Sequence, residues 1–339
     1  MTSIPASVEE AQSASWLSSV LGAEVTQVEV GPVDQRISTN IPVHVELADG
    51  HACDLWIKGY FGEIGEMARY AGVPEVMFYR DVRGTVGIRT LRCIHAEVDP
   101  ATSHNVIVTE DIAGEGAVFL DGRTSCTPDQ VAESLAQLAE LHAATWGSRR
   151  WAQAAWLATR LQQTTVHRGI TEIAGNFEGP NGAGVPRAVR DPERLFSEYR
   201  ALGAAVAGAD TEPWCVVHGD PHIGNVYLDP DGRTSLYDWQ VVQRGPWYLD
   251  VGYHVAAMLT VEDRRSHERS LVAHYLERLA AAGIEQPDAG EVEQGLRRGL
   301  LHGFFLWGIT LKVKPDIITA LLERLGTAVD DHGGWAAAG

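Results

Sequence analysis

Apolar positions change their period along the chain. Up to about Ile112 they mostly alternate with polar ones, as in strands, and from Thr127 they recur at helical spacing. At the start, Ser7 and Glu10 have capping-box spacing ahead of Trp16, Leu17, Val20 and Leu21, which predicts one amphipathic helix. Val43, Val45 and Leu47 then alternate up to an Asp49-Gly50 turn, and Cys53, Leu55 and Ile57 alternate on a return strand ending at Lys58. A helical stretch follows, with Pro74 near the start of its second part and Glu75, Phe78, Tyr79 and Val82 at helical spacing. Further strands are predicted around 90–96 and 105–109. The order of hairpin, helix and strands describes a small sheet with one helix packed on it.

Thr127, Pro128 and Gln130 form a helix start, and Val131, Leu135, Leu138 and Leu141 mark a buried face that ends near Trp146. The Gly- and Pro-rich stretch 175–184 is predicted to be a loop, and helix resumes over 192–207. Short strands are expected at 214–217, 226–228 and 235–237, with Asp231-Gly232 turning between the last two. From about Asp250 onward the spacing predicts four or so helices. No internal repeat or low-complexity tract stands out. The pattern describes an α+β chain with a β-rich lobe over residues 1–112 and a larger, mainly helical lobe over 113–339. Thr109-Glu110-Asp111-Ile112 is the expected hinge.

Composition narrows the class. A chain of 339 residues, 45 % hydrophobic and 21 % charged, has the balance of a globular protein with a substantial core. Its net charge of −18 argues against a nucleic-acid partner, is mildly compatible with a cationic substrate, and suits solubility. The four cysteines, Cys53, Cys93, Cys126 and Cys215, are scattered, which fits buried thiols in a reducing compartment. The acidic N-terminus has no signal-peptide pattern, and no apolar run is long enough to cross a membrane, so a cytoplasmic location is expected.

The run His218-Gly219-Asp220-Pro221-His222-Ile223-Gly224-Asn225 concentrates the chemistry, followed closely by Tyr237-Asp238-Trp239-Gln240. His218, Asp220 and Asn225 fit the H-x-D-x-x-x-x-N spacing of a protein-kinase catalytic loop, and Asp238 stands where D-F-G has its metal-binding Asp. Phosphoryl transfer needs a carboxylate to orient the attacking hydroxyl, the task that suits Asp220. It also needs oxygen ligands for Mg2+, which suits Asn225 and Asp238. The same letters admit a zinc hydrolase built on the H-x-D-x-H cluster of His218, Asp220 and His222, or a purely structural turn.

On these residues the chain resembles the aminoglycoside phosphotransferase and choline kinase superfamily, and looks closest to ecdysteroid-kinase-like and related bacterial small-molecule phosphotransferases. Asp238-Trp239-Gln240, Gly245-Pro246-Trp247-Tyr248-Leu249-Asp250 and the helix carrying Leu138-Ala139-Glu140-Leu141-His142-Ala143 share in the resemblance. It extends from about Gln35 into the helices after Asp250. It implies a bilobal protein-kinase-like fold and an O-phosphotransferase acting on a small-molecule hydroxyl with ATP, GTP being the alternative, and Mg2+. Asp220 would be the catalytic base, and Asn225 and Asp238 the metal ligands. Lys58 would contact the nucleotide phosphates and Glu75 would pair with it. Glu110 and Ile112 would lie at the hinge where the adenine binds, mainly through backbone groups, and His218 and Asp250 would support the catalytic loop, Asp250 from below.

Lys58 has the alternative of a solvated strand end, and Glu63 and Glu66 compete with Glu75. His142 reads as a packing residue. His222 orients the loop, contacts phosphate or caps a turn. The stretch matching the phosphate-covering turn, Gln35-Arg36-Ile37-Ser38-Thr39-Asn40-Ile41-Pro42, has no glycine. Ser38, Thr39 and Asn40 would offer N–H groups and short side chains to phosphate instead.

Gln240 replaces the glycine of D-F-G, and the passage from Asp238 to Gly245 has no room for a long activation loop. The short passage favours a constitutively competent small-molecule kinase over a regulated protein kinase. A non-catalytic nucleotide-binding module is the competing class. The acceptor pocket is expected between the lobes, against the helices after Trp146 and the segment Phe304-Phe305-Leu306-Trp307, with His302, Lys312 and Lys314 nearby. Aminoglycoside, amino-alcohol, sugar and hydroxylated lipid or steroid acceptors are all open, as is the oligomeric state.

Overall fold

Alternation produces the expected sheet in a computed structural model that describes residues 4–35, 37–208 and 213–337. The helices α1 (Val8–Ala11) and α2 (Ala14–Leu21) precede β1 (Val25–Val30), β2 (Asp34–Gln35), β3 (Thr39–Leu47) and β4 (Ala52–Gly59). Then come α3 (Gly62–Ala68), α4 (Val73–Met77), β5 (Cys93–Val98) and β6 (Asn105–Glu110). The strands pair antiparallel in the order β1-β3-β4-β6-β5, with β2 on β3. Ile41, Val43 and Val45 from β3, with Leu55 and Ile57 from β4, fill one face and pack with Trp16 and Leu17 of α2.

Three local expectations are corrected here. The predicted N-terminal helix is two helices, because the Ser13 hydroxyl accepts from Trp16 N at 3.3 Å and caps a second start. The helical spacing after Pro74 ends as a π turn over Phe78–Val82, a wider turn that still buries Phe78, Tyr79 and Val82. The strand expected at 90–96 begins only at Cys93. Thr90 stays off the ladder, and its hydroxyl accepts from Trp239 Nε1 at 2.9 Å.

Two compact units divide the chain. The first runs to Val118 and includes Asp229–Asp231 and Tyr237–Gln240; the second holds Phe119–Leu228, Gly232–Leu236 and the chain from Val241. The chain leaves the first unit through β7 (Val118–Phe119). In the second unit α5 (Pro128–Thr145) starts with the predicted capping box of Thr127 and Gln130. It is followed by α6 (Arg149–Ala152), α7 (Leu161–His167), α8 (Ile170–Glu178) and α9 (Pro192–Gly208). The expected loop at 175–184 is therefore helical through Glu178. Ile173 and Phe177 lie four apart on its buried face, and Phe177 stacks on Phe304 at 5.4 Å. That burial outweighs a cost of about 1 kcal/mol for Gly175 inside a helix.

Next come β8 (Cys215–Val217), β9 (Val226–Leu228), β10 (Thr234–Leu236) and β11 (Gln243–Gly245). β8 pairs with β11, and β9 with β10, both antiparallel. Four helices close the chain: α10 (Tyr248–Met258), α11 (Val261–Ala281), α12 (Ala289–Gly308) and α13 (Pro315–Asp331). Every residue of α10 is buried. It meets α12 through glycine: a Cβ on Gly299 would lie 2.0 Å from Tyr248 O, and one on Gly252 would lie 2.8 Å from Leu296 O. Among the described residues, no helix is long and apolar enough to cross a membrane.

Candidate active site

In the first unit, β4 carries Lys58 and α4 carries Glu75. Lys58 Nζ lies 2.7 Å from Glu75 Oε2 and 3.1 Å from Asp238 Oδ1. The competing Glu63 and Glu66 are exposed, and Glu66 pairs with Arg69. Burial alone would depress the Lys58 ammonium, but the Asp238 and Glu75 carboxylates outweigh it and hold the amine above its usual range. Asp238 has φ +62°, a left-handed conformation uncommon outside glycine. Its neighbour Trp239 is fully buried and stacks on Phe78 at 3.7 Å, which seats this short segment on the π turn.

Thr39 is buried and its Oγ1 has no hydrogen-bond partner, while Ser38 and Asn40 are half-buried beside it. Arg36 lies outside the described residues. Glu110 ends β6 in an ion pair with Arg92. The Ile112 carbonyl accepts from the Glu115 and Ala117 amides.

In the second unit, the loop from His218 to Asn225 is tied down at nearly every residue. Gly219 has φ +83°, and a Cβ there would sit 2.4 Å from Val241 O, so glycine is required twice over. The buried Asp250 of α10 accepts from the amides of His218 at 2.7 Å and Gly219 at 2.8 Å. His142 Nε2 lies 3.1 Å from the same carboxylate, and Tyr275 OH lies 2.7 Å from His142 Nδ1. Burial would raise the Asp250 carboxyl, but the bond and charge of His142, His218 and the Gly219 amide hold it below the usual range.

Asn225 Nδ2 donates to Asp220 O at 2.8 Å, which orients the amide. His302 Nε2 donates to Gly219 O at 3.0 Å, and His254 Nδ1 donates to Pro221 O at 2.7 Å. His222 Nδ1 accepts from Gly224 N at 2.9 Å, and its Nε2 stands 3.6 Å from Asp220 Oδ2. Trp307 meets the His222 ring edge-on at 5.0 Å and is only 4 % exposed, whereas Phe304 and Phe305 are fully buried core.

The H-x-D-x-H letters are spent on the loop itself. His218 is fully buried with Nδ1 accepting from Asp220 N at 3.3 Å, and His222 accepts from Gly224. Among the described residues, no group of three or more His, Cys, Asp and Glu side chains is placed to hold a metal ion. The amide of Asn225 and the carboxylate of Asp238 are hard oxygen donors of the kind magnesium prefers.

The motif does not point to Tyr253, His254, His302 or Tyr199. The available signal was polar: Asp250, Tyr253 and His254, at i, i+3 and i+4, interrupt an otherwise apolar α10. Ser134 OH lies 2.6 Å from His254 Nε2, and burial pushes that imidazole down to about 4. The unfolded ring titrates near 6.5, so the folded state excludes a proton that the unfolded state binds. Stability is then complete above about pH 6.5 and falls by up to roughly 3 kcal/mol toward pH 4. Urea midpoints measured across that range should show the loss, and His254→Gln should flatten it.

Residues 77–283, more than half of the chain, match the model of the ecdysteroid kinase-like family. The chain belongs to that family. It is a phosphotransferase acting on the hydroxyl of a small molecule, with an α+β, protein-kinase-like fold. No curated protein matches this kinase in sequence. Its fold is similar to that of an amicoumacin kinase in complex with AMP-PNP, Ca2+ and amicoumacin. There the TM-score is 0.53 at 14 % identity, covering 91 % of this chain and 89 % of the other. Spectinomycin phosphotransferase with ADP and spectinomycin gives 0.50 at 10 % identity, covering 94 % and 97 %.

Proposed function

We propose that this kinase transfers the γ-phosphate of ATP to a small-molecule hydroxyl, with Asp220 as base and Mg2+ on Asn225 and Asp238. The observation that carries this is the immobilised Asp220 loop. Its main chain is held by Asp250, Asn225, His254 and His302, yet its carboxylate remains a quarter exposed. A pre-organised carboxylate of that kind suits the proton of an incoming alcohol. Lys58, paired with Glu75 and Asp238, supplies positive charge for the nucleotide phosphates, and the unpartnered Thr39 hydroxyl is a further donor for them. Glu110 and Ile112 flank the adenine in this reading. Relatives in fold that hold ADP, or AMP-PNP with Ca2+, support a nucleotide and a divalent cation.

Magnesium supplies charge neutralisation at the phosphates when bound; the chain's own work is to orient the hydroxyl, take its proton and fix the nucleotide. The acceptor is read as lying against His222 and Trp307, and its class is open. A screen of aminoglycosides, amino alcohols, sugars and hydroxylated lipids with labelled ATP and Mg2+ is the test. Transfer to one class, lost in chelator and not restored by zinc, is expected. A zinc-only activity that is indifferent to magnesium would overturn the reading. With that acceptor, Trp307→Phe should raise the acceptor KM severalfold and leave the ATP KM nearly unchanged; unaltered acceptor kinetics would return Trp307 to the core.

A further inference from the structure

Tyr253 sits one turn beyond Asp250 in α10, is fully buried, and its hydroxyl has one hydrogen-bond partner on each side of its chemistry, a donor and an acceptor. Trp307 Nε1 lies 2.7 Å from Tyr253 OH, and Tyr253 OH lies 2.8 Å from Asp220 Oδ1. An indole N–H can only donate. The Tyr253 oxygen therefore accepts from Trp307, and its own proton is left for Asp220. Burial, with the Asp220 charge next, holds the phenol far above its usual range, so the proton stays on tyrosine. The relay has one direction, from Trp307 through Tyr253 to Asp220.

The second oxygen of Asp220 has a different neighbour. Oδ2 stands 3.6 Å from His222 Nε2. His222 Nδ1 already accepts from Gly224 N, so the neutral ring carries its proton on Nε2, on the side of Oδ2. That separation is too long for a direct hydrogen bond and wide enough for one hydroxyl oxygen to reach both groups.

We propose that Tyr253 is a positioning residue: it holds Oδ1 of Asp220, so that Oδ2, opposite His222 Nε2–H, is the oxygen that takes the acceptor's proton. The inference rests on the reading of Asp220 as base. In the step, the acceptor O–H bond breaks and its proton passes to Oδ2. The acceptor oxygen bonds to the γ-phosphorus, and the bridging P–O bond breaks with its electron pair on the ADP oxygen. Without the tyrosine hydroxyl the carboxylate is free to turn, because the terminal torsion of aspartate is broad. A misplacement of about 1 Å is enough for a 10²-fold loss.

The test uses the full chain with Mg2+ and ATP, and water as the acceptor, so no acceptor need be identified. Tyr253→Phe should lower hydrolysis by roughly tenfold to a hundredfold with the ATP KM within about twofold. Trp307→Phe should cost a few-fold. The double variant, which removes both buried polar groups and so keeps the fold, should be no slower than Tyr253→Phe alone. If Asp220→Asn abolishes hydrolysis while Tyr253→Phe retains the wild-type rate, the positioning role is overturned and the base survives. If Asp220→Asn also retains it, both fall. A crystal structure of Tyr253→Phe with Asp220 unmoved overturns the inference independently of any rate.

Discussion

Asp220→Ala should lower turnover by roughly 10²–10⁴-fold, the usual scale of a positioned general base, while ATP affinity stays within a few-fold. The separation of effects follows from where the groups lie. The charges read as nucleotide contacts, Lys58, Glu75 and Asp238, form their own cluster in the first unit. Asp220 belongs to the second, and the bonds that hold its loop run through main-chain groups, which alanine keeps. Single-turnover transfer of labelled phosphate measures the first quantity and calorimetric ATP titration the second. Near-normal transfer by the variant would remove Asp220 from the mechanism.

Asp250→Ala should cost still more, through the fold. It strips the acceptor from the buried amides of His218 and Gly219 and from His142. Each buried donor left unpaired costs about 1–3 kcal/mol, so the sum approaches the 5–15 kcal/mol by which domains are stable. Asp250→Asn keeps a carbonyl oxygen and should recover part of the loss. The carboxyl of Asp250 is held below its ordinary value, so its stabilisation is present above about pH 3.9 and disappears as pH falls through the lower folded value. Urea unfolding of the wild type and both variants from neutrality to below about pH 3.9 tests this. An Asp250→Ala protein as stable as wild type at neutral pH would refute it.

Features encoded by neighbours in sequence were legible. The Thr127–Gln130 box, the Asp49-Gly50 turn and the Asp231-Gly232 turn depend on a few adjacent residues, and each appears where its letters place it. The kinase-like architecture was legible for the same reason, because the catalytic block is a local run. Elements decided by distant partners were not. Gly175 reads as a breaker until Phe177 is seen stacked on Phe304, and Thr90 reads as a strand residue until Trp239 reaches its hydroxyl.

Around Asp220 the same division holds. Tyr253 bonds to it across 33 positions, and His302 reaches the Gly219 carbonyl across 83. No short pattern announces such partners. Lys58 and Glu75 were legible as a choice among glutamates; Glu75 is the buried one, 2.7 Å from Lys58 Nζ, while Glu63 and Glu66 are exposed.

The glycine seam between α10 and α12 bears on how such an enzyme is re-engineered. α10 carries Asp250 and Tyr253, α12 carries His302 and Trp307, and the two helices touch where Gly252 and Gly299 leave no room for a methyl group. On the proposed reading of Trp307 as facing the acceptor, a mutant library aimed at new acceptors can vary its surroundings only while these two glycines are kept. Widening the seam by a single Cβ would shift Asp250, Tyr253 and His302, which bond to the Asp220 loop, together with Trp307 behind Tyr253, and selection for a new substrate would then be scoring a disturbed loop.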